Sequence, residues 1–185
     1  VKTCFAEVRK GDVLDFWFRK TGARHWFSKS AAVDAEIRER FLALYEQLVA
    51  SDAADVTDAR PLRAAVIVLD QFSRNMFRDT PRAFATDPLA RRLARQIIEK
   101  GFDSGLASEE GLFVYLPFEH SEDRDDQALS CELIGRLGND DWTQYALAHK
   151  AIIDRFGRFP HRNAVLGRTS TAEEIARLAE PMGSF

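Results

Sequence analysis

Arginine, histidine and acidic side chains crowd three short segments of this 185-residue sequence, and the first spans residues 70–78. In that segment Asp70, Arg74 and Arg78 recur every four residues, so a helix would place them on one face. One interpretation is a solvated ladder of ion pairs, worth only about 0.3–0.5 kcal/mol each. The other is a ligand site in which Asp70 aligns two guanidiniums toward a phosphate or carboxylate. The candidate ligand-binding residues here are Asp70, Arg74, Asn75 and Arg78.

The second segment, residues 117–123, reads Pro-Phe-Glu-His-Ser-Glu-Asp. Glu119 and His120 are candidate catalytic residues, because a histidine beside a carboxylate can act as a general base. Together with Glu122 they are also candidate ligands for a divalent metal, although the sequence requires no cofactor. The acids that follow have a structural alternative, because Ser121 predicts a helix cap and a helix dipole favours negative charge in the first turn.

The third segment runs from residue 155 to residue 168, past the predicted end of a helix. A helix C-terminus favours cations, which gives Arg158 a structural explanation. The loop around Pro160 lacks that explanation, and functional residues concentrate in loops. His161 therefore joins the candidate catalytic residues, and the candidate ligand-binding residues of this segment are Arg158, Arg162, Asn163 and Arg168. The alternative is a loop that uses the same side chains to hold itself together.

His149 lies on an apolar helical stripe with Trp142, Ile152 and Ile153. A histidine in that position is usually a hydrogen-bonded core residue, and we interpret His149 as such a residue. If it faced His120, a metal site would become plausible.

Bulk composition limits the functional classes. Apolar residues make up 45% of the chain, with 14 Phe and 3 Trp, which is enough for a sizeable core. The net charge of −3 argues against broad binding to nucleic acid or anionic membranes. Cys4 and Cys131 lie far apart and form no CxxC pair, which favours a reducing compartment. We expect one cytoplasmic domain over residues 1–185, with no signal peptide and no membrane span.

Apolar spacing is helical nearly everywhere and predicts about eight helices joined by short turns. The predicted helices cover 8–18, 31–48, 58–76, 86–101, 108–116 with an interruption at Pro117, 122–137 behind a Ser121 cap, 140–156, and a short last helix opened by the capping-box pattern Thr171–Glu174. Short connections make consecutive helices antiparallel pairs, and the natural arrangement is a stack of such pairs in a short superhelix. A compact orthogonal bundle is the alternative.

The three polar segments and both ends of the sequence also resemble the motifs of one family. The matching stretches are residues 70–78 (a DQFPRN-type motif), 117–123 (P-x-EHSED), 156–163 (FGRFPHRN), 166–174 (LGRxST-x-EE), 13–18 and 183–185. Over essentially its whole length the chain is similar to the bacterial family of unknown function number 924. The resemblance implies a tetratricopeptide-like, right-handed stack of helix pairs, and it implies no activity and no catalytic assignments. One departure is Ser73, where the family motif commonly has Pro.

Three functions follow from these observations. The first is a polar pocket where the three segments converge, which binds a small anionic ligand and serves a hydrolase-type enzyme acting on a phosphorylated or carboxylated metabolite. The second is a tetratricopeptide-like scaffold that binds a peptide or protein partner. The third is an internal polar network that fixes the helices, with the function elsewhere. The sequence does not decide whether the chain is an enzyme.

Overall fold

The helical spacing of apolar residues is realised throughout residues 12–180, which are the residues that this computed structural model describes. Every regular element in that range is helical and none is a strand, so the predicted all-α class is confirmed for it. The predicted helix start at Val8, Cys4 and the matching stretch 183–185 lie outside the described residues. No helix within the described range is both long and apolar enough to cross a bilayer.

The α-helical segments of the described chain are labelled α1 to α10. They are α1 Asp12–Asp15, α2 Ala23–Trp26, α3 Ala31–Ala50, α4 Ala59–Ile67, α5 Ser73–Met76, α6 Asp87–Glu99, α7 Ser108–Glu119, α8 Arg124–Gly135, α9 Asp140–Phe156 and α10 Ala172–Leu178. Two π-helical segments, Phe16–Thr21 and Val68–Phe72, follow α1 and join α4 to α5. Short 3₁₀ turns lie at Pro81–Ala83 and Pro160–Arg162.

Several predicted helix ends are confirmed, because local side chains determine them. Ser30 accepts a hydrogen bond from the backbone N–H of Val33 at the start of α3. α9 has the predicted bounds, and Gly157 just beyond it adopts a left-handed conformation, with φ of 69°. Thr171 and Glu174 form the predicted reciprocal capping box at the start of α10.

Two predictions near the second segment are wrong. Pro117 lies inside α7, which continues to Glu119 rather than stopping at Leu116. Ser121 does not cap α8, which begins at Arg124 and ends at Gly135. The cap is Asp123, whose carboxylate accepts hydrogen bonds from two backbone N–H groups, while the Ser121 hydroxyl donates to a side chain of α8.

A third correction concerns the helix predicted over 58–76. It is divided into α4 and α5 by the π-helical segment Val68–Phe72. A π-helical turn contains more residues than an α-helical turn, so it changes the directions of the side chains that follow. Simple i, i+4 spacing therefore does not describe the side chains of residues 70–78.

The described residues form two compact units. The first comprises residues 12–78 and 82–117 and has an aromatic core, in which the fully buried Trp17 lies edge-on to Phe72 and Phe113 at centroid distances of 5.4 and 5.5 Å. The second comprises residues 79–81 and 118–180, and α8 packs against α9 within it. Its apolar centre contains Ile153 and Phe159. The second unit contains all of the third polar segment and, apart from Pro117, all of the second.

Candidate functional site

The first polar segment holds a half-buried arginine, Arg74, between two carboxylates of its own unit. Arg74 donates two hydrogen bonds to Asp87, at 2.8 and 3.0 Å, and also contacts the fully buried Asp70 at 3.3 Å. Burial alone would lower the pKa of Arg74, but the charges of Asp70 and Asp87 outweigh burial and raise it. Thr86 donates to the Leu69 carbonyl at 2.6 Å and so fixes the residue next to Asp87. The guanidinium of Arg74 is therefore held inside the fold rather than in a solvated ladder.

Arg78 and Asn75 of the same segment turn to a different partner. Arg78 donates to both carboxylate oxygens of Asp34, at 2.5 and 2.9 Å, and Asn75 donates to Asp34 at 2.7 Å. Arg78 lies beyond the end of α5, so it does not continue the helical face of Asp70 and Arg74. The predicted shared face of Asp70, Arg74 and Arg78 is therefore divided. Arg74 binds Asp70 and Asp87, whereas Arg78 binds Asp34.

Two candidate residues of the third segment hold the start of α10. The Glu174 carboxylate accepts hydrogen bonds from Arg158 at 2.6 and 2.9 Å, from Asn163 at 3.3 Å and from the backbone N–H of Thr171 at 2.7 Å. The hydrogen bond from Arg158 is the main cause that lowers the pKa of Glu174 to about 2. These contacts give Arg158 and Asn163 a structural role.

Arg168 links the second and third segments within the second unit. It donates to Glu122 at 2.8 and 3.0 Å and to the Phe159 carbonyl at 3.1 Å, and Glu122 also accepts from the backbone N–H of Phe159 at 2.8 Å. Burial would raise the pKa of Glu122, but the hydrogen bonds from Arg168 and Phe159 lower it. The Glu122 carboxylate is engaged by these groups.

The remaining candidates of the second unit surround the buried ring of His149. Its Nδ1 lies 2.9 Å from the Tyr145 carbonyl oxygen and 3.1 Å from Oε1 of Glu119, which is also buried. Both neighbours accept hydrogen bonds, so we assign the proton of the neutral ring to Nδ1, which leaves Nε2 as an acceptor. The His120 ring lies 6.4 Å from the His149 ring, centroid to centroid.

Phe159 supplies the aromatic wall of this cluster. Its ring lies edge-on to His149 at 5.6 Å and tilted against His161 at 5.6 Å, and the Arg162 guanidinium lies 4.5 Å from its centroid. We name Glu119, His120, His149, His161 and Arg162 the histidine cluster. Arg162 is buried, whereas His120 and His161 are half-buried.

Burial lowers the pKa of His149 to about 3, with smaller contributions from the positive charges of His120, His161 and Arg162, while the Tyr145 carbonyl opposes the shift. His149 is therefore neutral at pH 7.

The structure thus brings together Glu119 and His120 of the second segment with His161 and Arg162 of the third. His149 is buried and hydrogen-bonded, as its interpretation as a core residue requires, but its contact with Glu119 was missed. The signal available in the sequence was a single histidine on the apolar stripe of α9. Within residues 12–180, no group of three or more His, Cys, Asp or Glu side chains has an arrangement that could hold a metal ion.

Comparison with known proteins supports the resemblance seen in the sequence. Residues 13–182 match the model of the family described as bacterial protein of unknown function, DUF924. The chain belongs to this family.

A solved structure resembles this DUF924 protein closely. It is a protein of unknown function from Agrobacterium tumefaciens, 39% identical in sequence, with a TM-score of 0.89. The match covers 96% of this chain and 99% of that chain. A comparison with curated proteins finds no significant match. These comparisons support the fold and the family, and they assign no activity to this chain.

Replacing Arg74 tests whether the first segment is a structural network. Arg74→Met should lower the free energy of unfolding by about 3–5 kcal/mol, because it leaves Asp70 and Asp87 without their counter-charge in a buried position. Arg136→Ala is the matched control, since Arg136 pairs with Glu132 on the exposed face of α8, and it should cost less than about 1 kcal/mol. Urea denaturation measures both. Equal, small losses would contradict the structural role of Arg74.

The low pKa of His149 predicts a pH-dependent stability. The unfolded chain binds a proton at this side chain near pH 6.5, whereas the folded chain binds it only near pH 3. Stability is therefore full above about pH 6.5 and falls as the pH drops toward 3, by about 2 kcal/mol at pH 5. The measurement is urea denaturation at pH 7 and pH 5.

The variant His149→Gln isolates this contribution, because it removes the titrating group. The loss of stability between pH 7 and pH 5 should be smaller in the variant by about the same 2 kcal/mol. His25→Ala is the control, since His25 is exposed in α2, and it should keep the pH dependence of the unaltered protein. A variant at position 149 with an unchanged pH dependence would show that His149 titrates normally.

Proposed function

We propose that the histidine cluster binds the phosphate or carboxylate group of a small anionic metabolite. The observation that carries this proposal is a shared packing arrangement: the His120 ring lies 6.4 Å from the buried His149 ring, and His161 and Arg162 pack against Phe159, which itself contacts His149. Arg158 and Arg168 are bound by Glu174 and Glu122. The proposal assigns the anion-binding role of the third segment to Arg162 and His161, because both pack against Phe159 beside His149.

The chemistry of the cluster suits an anion. The Arg162 guanidinium lies 4.5 Å from the centroid of the Phe159 ring, and a guanidinium held against an aromatic face suits binding of a phosphate or carboxylate. The imidazoles of His120 and His161 add N–H donors. The negative charge of Glu119 is directed at Nδ1 of His149, where it fixes the ring.

The pair Glu119–His149 supplies acid/base chemistry for a hydrolytic reaction. The Nδ1–H group of His149 donates to the Tyr145 carbonyl and lies 3.1 Å from the Glu119 carboxylate, so the lone pair of Nε2 is directed away from that carboxylate. A pKa of about 3 makes His149 a weak base in the absence of ligand. A bound anion would add a second negative charge beside the ring and would raise the pKa of His149 from that value, because an opposite charge stabilises the imidazolium. His149 would then take a proton from an attacking water only when substrate is present.

The candidate catalytic residues predicted from the sequence keep places in this scheme. Glu119 orients His149, and His120 and His161 are the proton donors for the leaving group. Asp70, Arg74, Asn75 and Arg78 are left out of it, because the carboxylates of Asp87 and Asp34 bind the two arginines.

A thermal-shift screen tests the proposal, with inorganic phosphate first and then phosphorylated and carboxylated metabolites. A ligand at about one hundred times its dissociation constant should stabilise the protein by about 2.7 kcal/mol. His161→Ala should weaken binding at least about tenfold, because it removes one charge-assisted hydrogen bond worth roughly 1.5–3 kcal/mol. The matched control His25→Ala should bind as the unaltered protein does.

Two outcomes would contradict the proposal. One is a folded protein that no anion of the panel stabilises. The other is an equal shift for His161→Ala and the unaltered protein. Release of product from a stabilising ligand, lost in His149→Gln, would separate an enzyme from a binding protein.

The scaffold function makes a different prediction for the same cluster. A peptide would bind through its terminal carboxylate, in a tetratricopeptide-like stack of helix pairs. A peptide with a free carboxyl end would then bind while its amidated form would not. Small metabolites would give no shift in that case.

A further inference from the structure

Gln127, in the first turns of α8, has a side chain that is completely buried. Its Nε2 lies 2.6 Å from the Glu119 carbonyl oxygen and 2.7 Å from the Ser121 carbonyl oxygen. These carbonyls stand on either side of His120 in the chain. An amide nitrogen carries two protons, so Gln127 donates one to each.

Gln127 donates to the turn at the C-terminal end of α7, where backbone carbonyl groups need hydrogen-bond donors. α7 ends at Glu119, and the last carbonyls of a helix have no partner within it. Asp126 of α8 and its cap residue Asp123 hold the same turn, because the Ser121 hydroxyl donates to Asp126 at 2.8 Å and accepts from the backbone N–H of Asp123 at 3.2 Å. The first turn of α8 thus determines where the backbone of residues 119–121 lies.

We infer that Gln127 is the positioning residue of the histidine cluster. By fixing the backbone on both sides of His120, it sets the place of the Glu119 carboxylate, 3.1 Å from Nδ1 of His149. Only the donor side of the amide takes part, since Oε1 of Gln127 accepts no hydrogen bond from the described residues. A neutral group with two N–H donors is what two neighbouring carbonyls require. The consequence for ligand binding rests on the proposed function, whereas the consequence for His149 does not.

The first test is made on the unaltered protein by NMR. The two side-chain amide protons of Gln127 should exchange slowly with solvent and show hydrogen-bond couplings to the carbonyl carbons of Glu119 and Ser121. Fast exchange without couplings would overturn the inference, and this measurement needs no variant that folds.

The second test replaces the donors while keeping the shape. Gln127→Glu removes both N–H groups, and Gln127→Met is the apolar variant of similar size for use if the glutamate prevents folding. In either variant the ¹⁵N signals of His149 and His120 should shift, and the dissociation constant for inorganic phosphate should rise about tenfold or more. Gln144→Glu is the matched control, because Gln144 is exposed on α9 in the same unit, and it should change neither.

The two readouts separate the two hypotheses. If phosphate does not bind the unaltered protein but the histidine signals shift in the Gln127 variants, the proposed function fails and the positioning role stands. If the histidine signals of a folded Gln127 variant match those of the unaltered protein, the positioning role is wrong whatever the phosphate result.

Discussion

The contact between the Glu119 carboxylate and the His149 imidazole is the interaction on which the polar centre of the second unit depends. Both side chains are buried, and a buried carboxylate is costly unless it accepts hydrogen bonds. The contact ties the C-terminal end of α7 to the middle of α9 and fixes the tautomer of His149. Because the ring also lies against Phe159 and near His120, its position determines how the second and third polar segments meet.

The need to pair charged side chains that are shielded from water also explains why many residues of the three polar segments stabilise the fold. Arg74, Arg78, Arg158 and Arg168 are half-buried, and each donates two or more hydrogen bonds to a carboxylate. These pairs fasten helix ends and loops to elements far along the chain. The internal-network hypothesis therefore describes most of the polar segments well. The ligand-binding hypothesis now concerns the histidine cluster alone. There His120 lies beside the neutral ring of His149, and His161 and Arg162 pack against Phe159.

The sequence predicted what local chemistry determines. The bounds of α9, the capping box of α10 and the all-helical class follow from spacing and from side chains within one turn of each helix end. The family resemblance was visible for the same reason, since its motifs are continuous. Ser121 and Asp123 are both good caps two residues apart, and local preference alone did not choose between them.

Contacts between residues far apart in the sequence could not be predicted from local side chains in this way. Asp34 lies 44 residues from Arg78, and Glu122 lies 46 residues from Arg168, so no helical spacing relates them. The π-helical segment before α5 changed the directions of the Asp70 face without any glycine or proline to mark it. The apolar neighbours of His149 on α9 predict a core residue, and its burial agrees with that prediction. What the sequence could not show is that a carboxylate from the end of α7 reaches the same ring.

The most direct test of the central claim is a long-range ¹H–¹⁵N spectrum of the histidine rings at pH 7, recorded again as the pH is lowered to 5. His149 should give the pattern of a neutral ring protonated at Nδ1, unchanged over this range, and Glu119→Gln should shift its Nδ1 signal. His25, exposed in the first unit, provides a reference ring signal in the same samples. A His149 ring that is charged at pH 7, or protonated at Nε2 with Nδ1 bare, would contradict the Glu119–His149 contact and the site built on it.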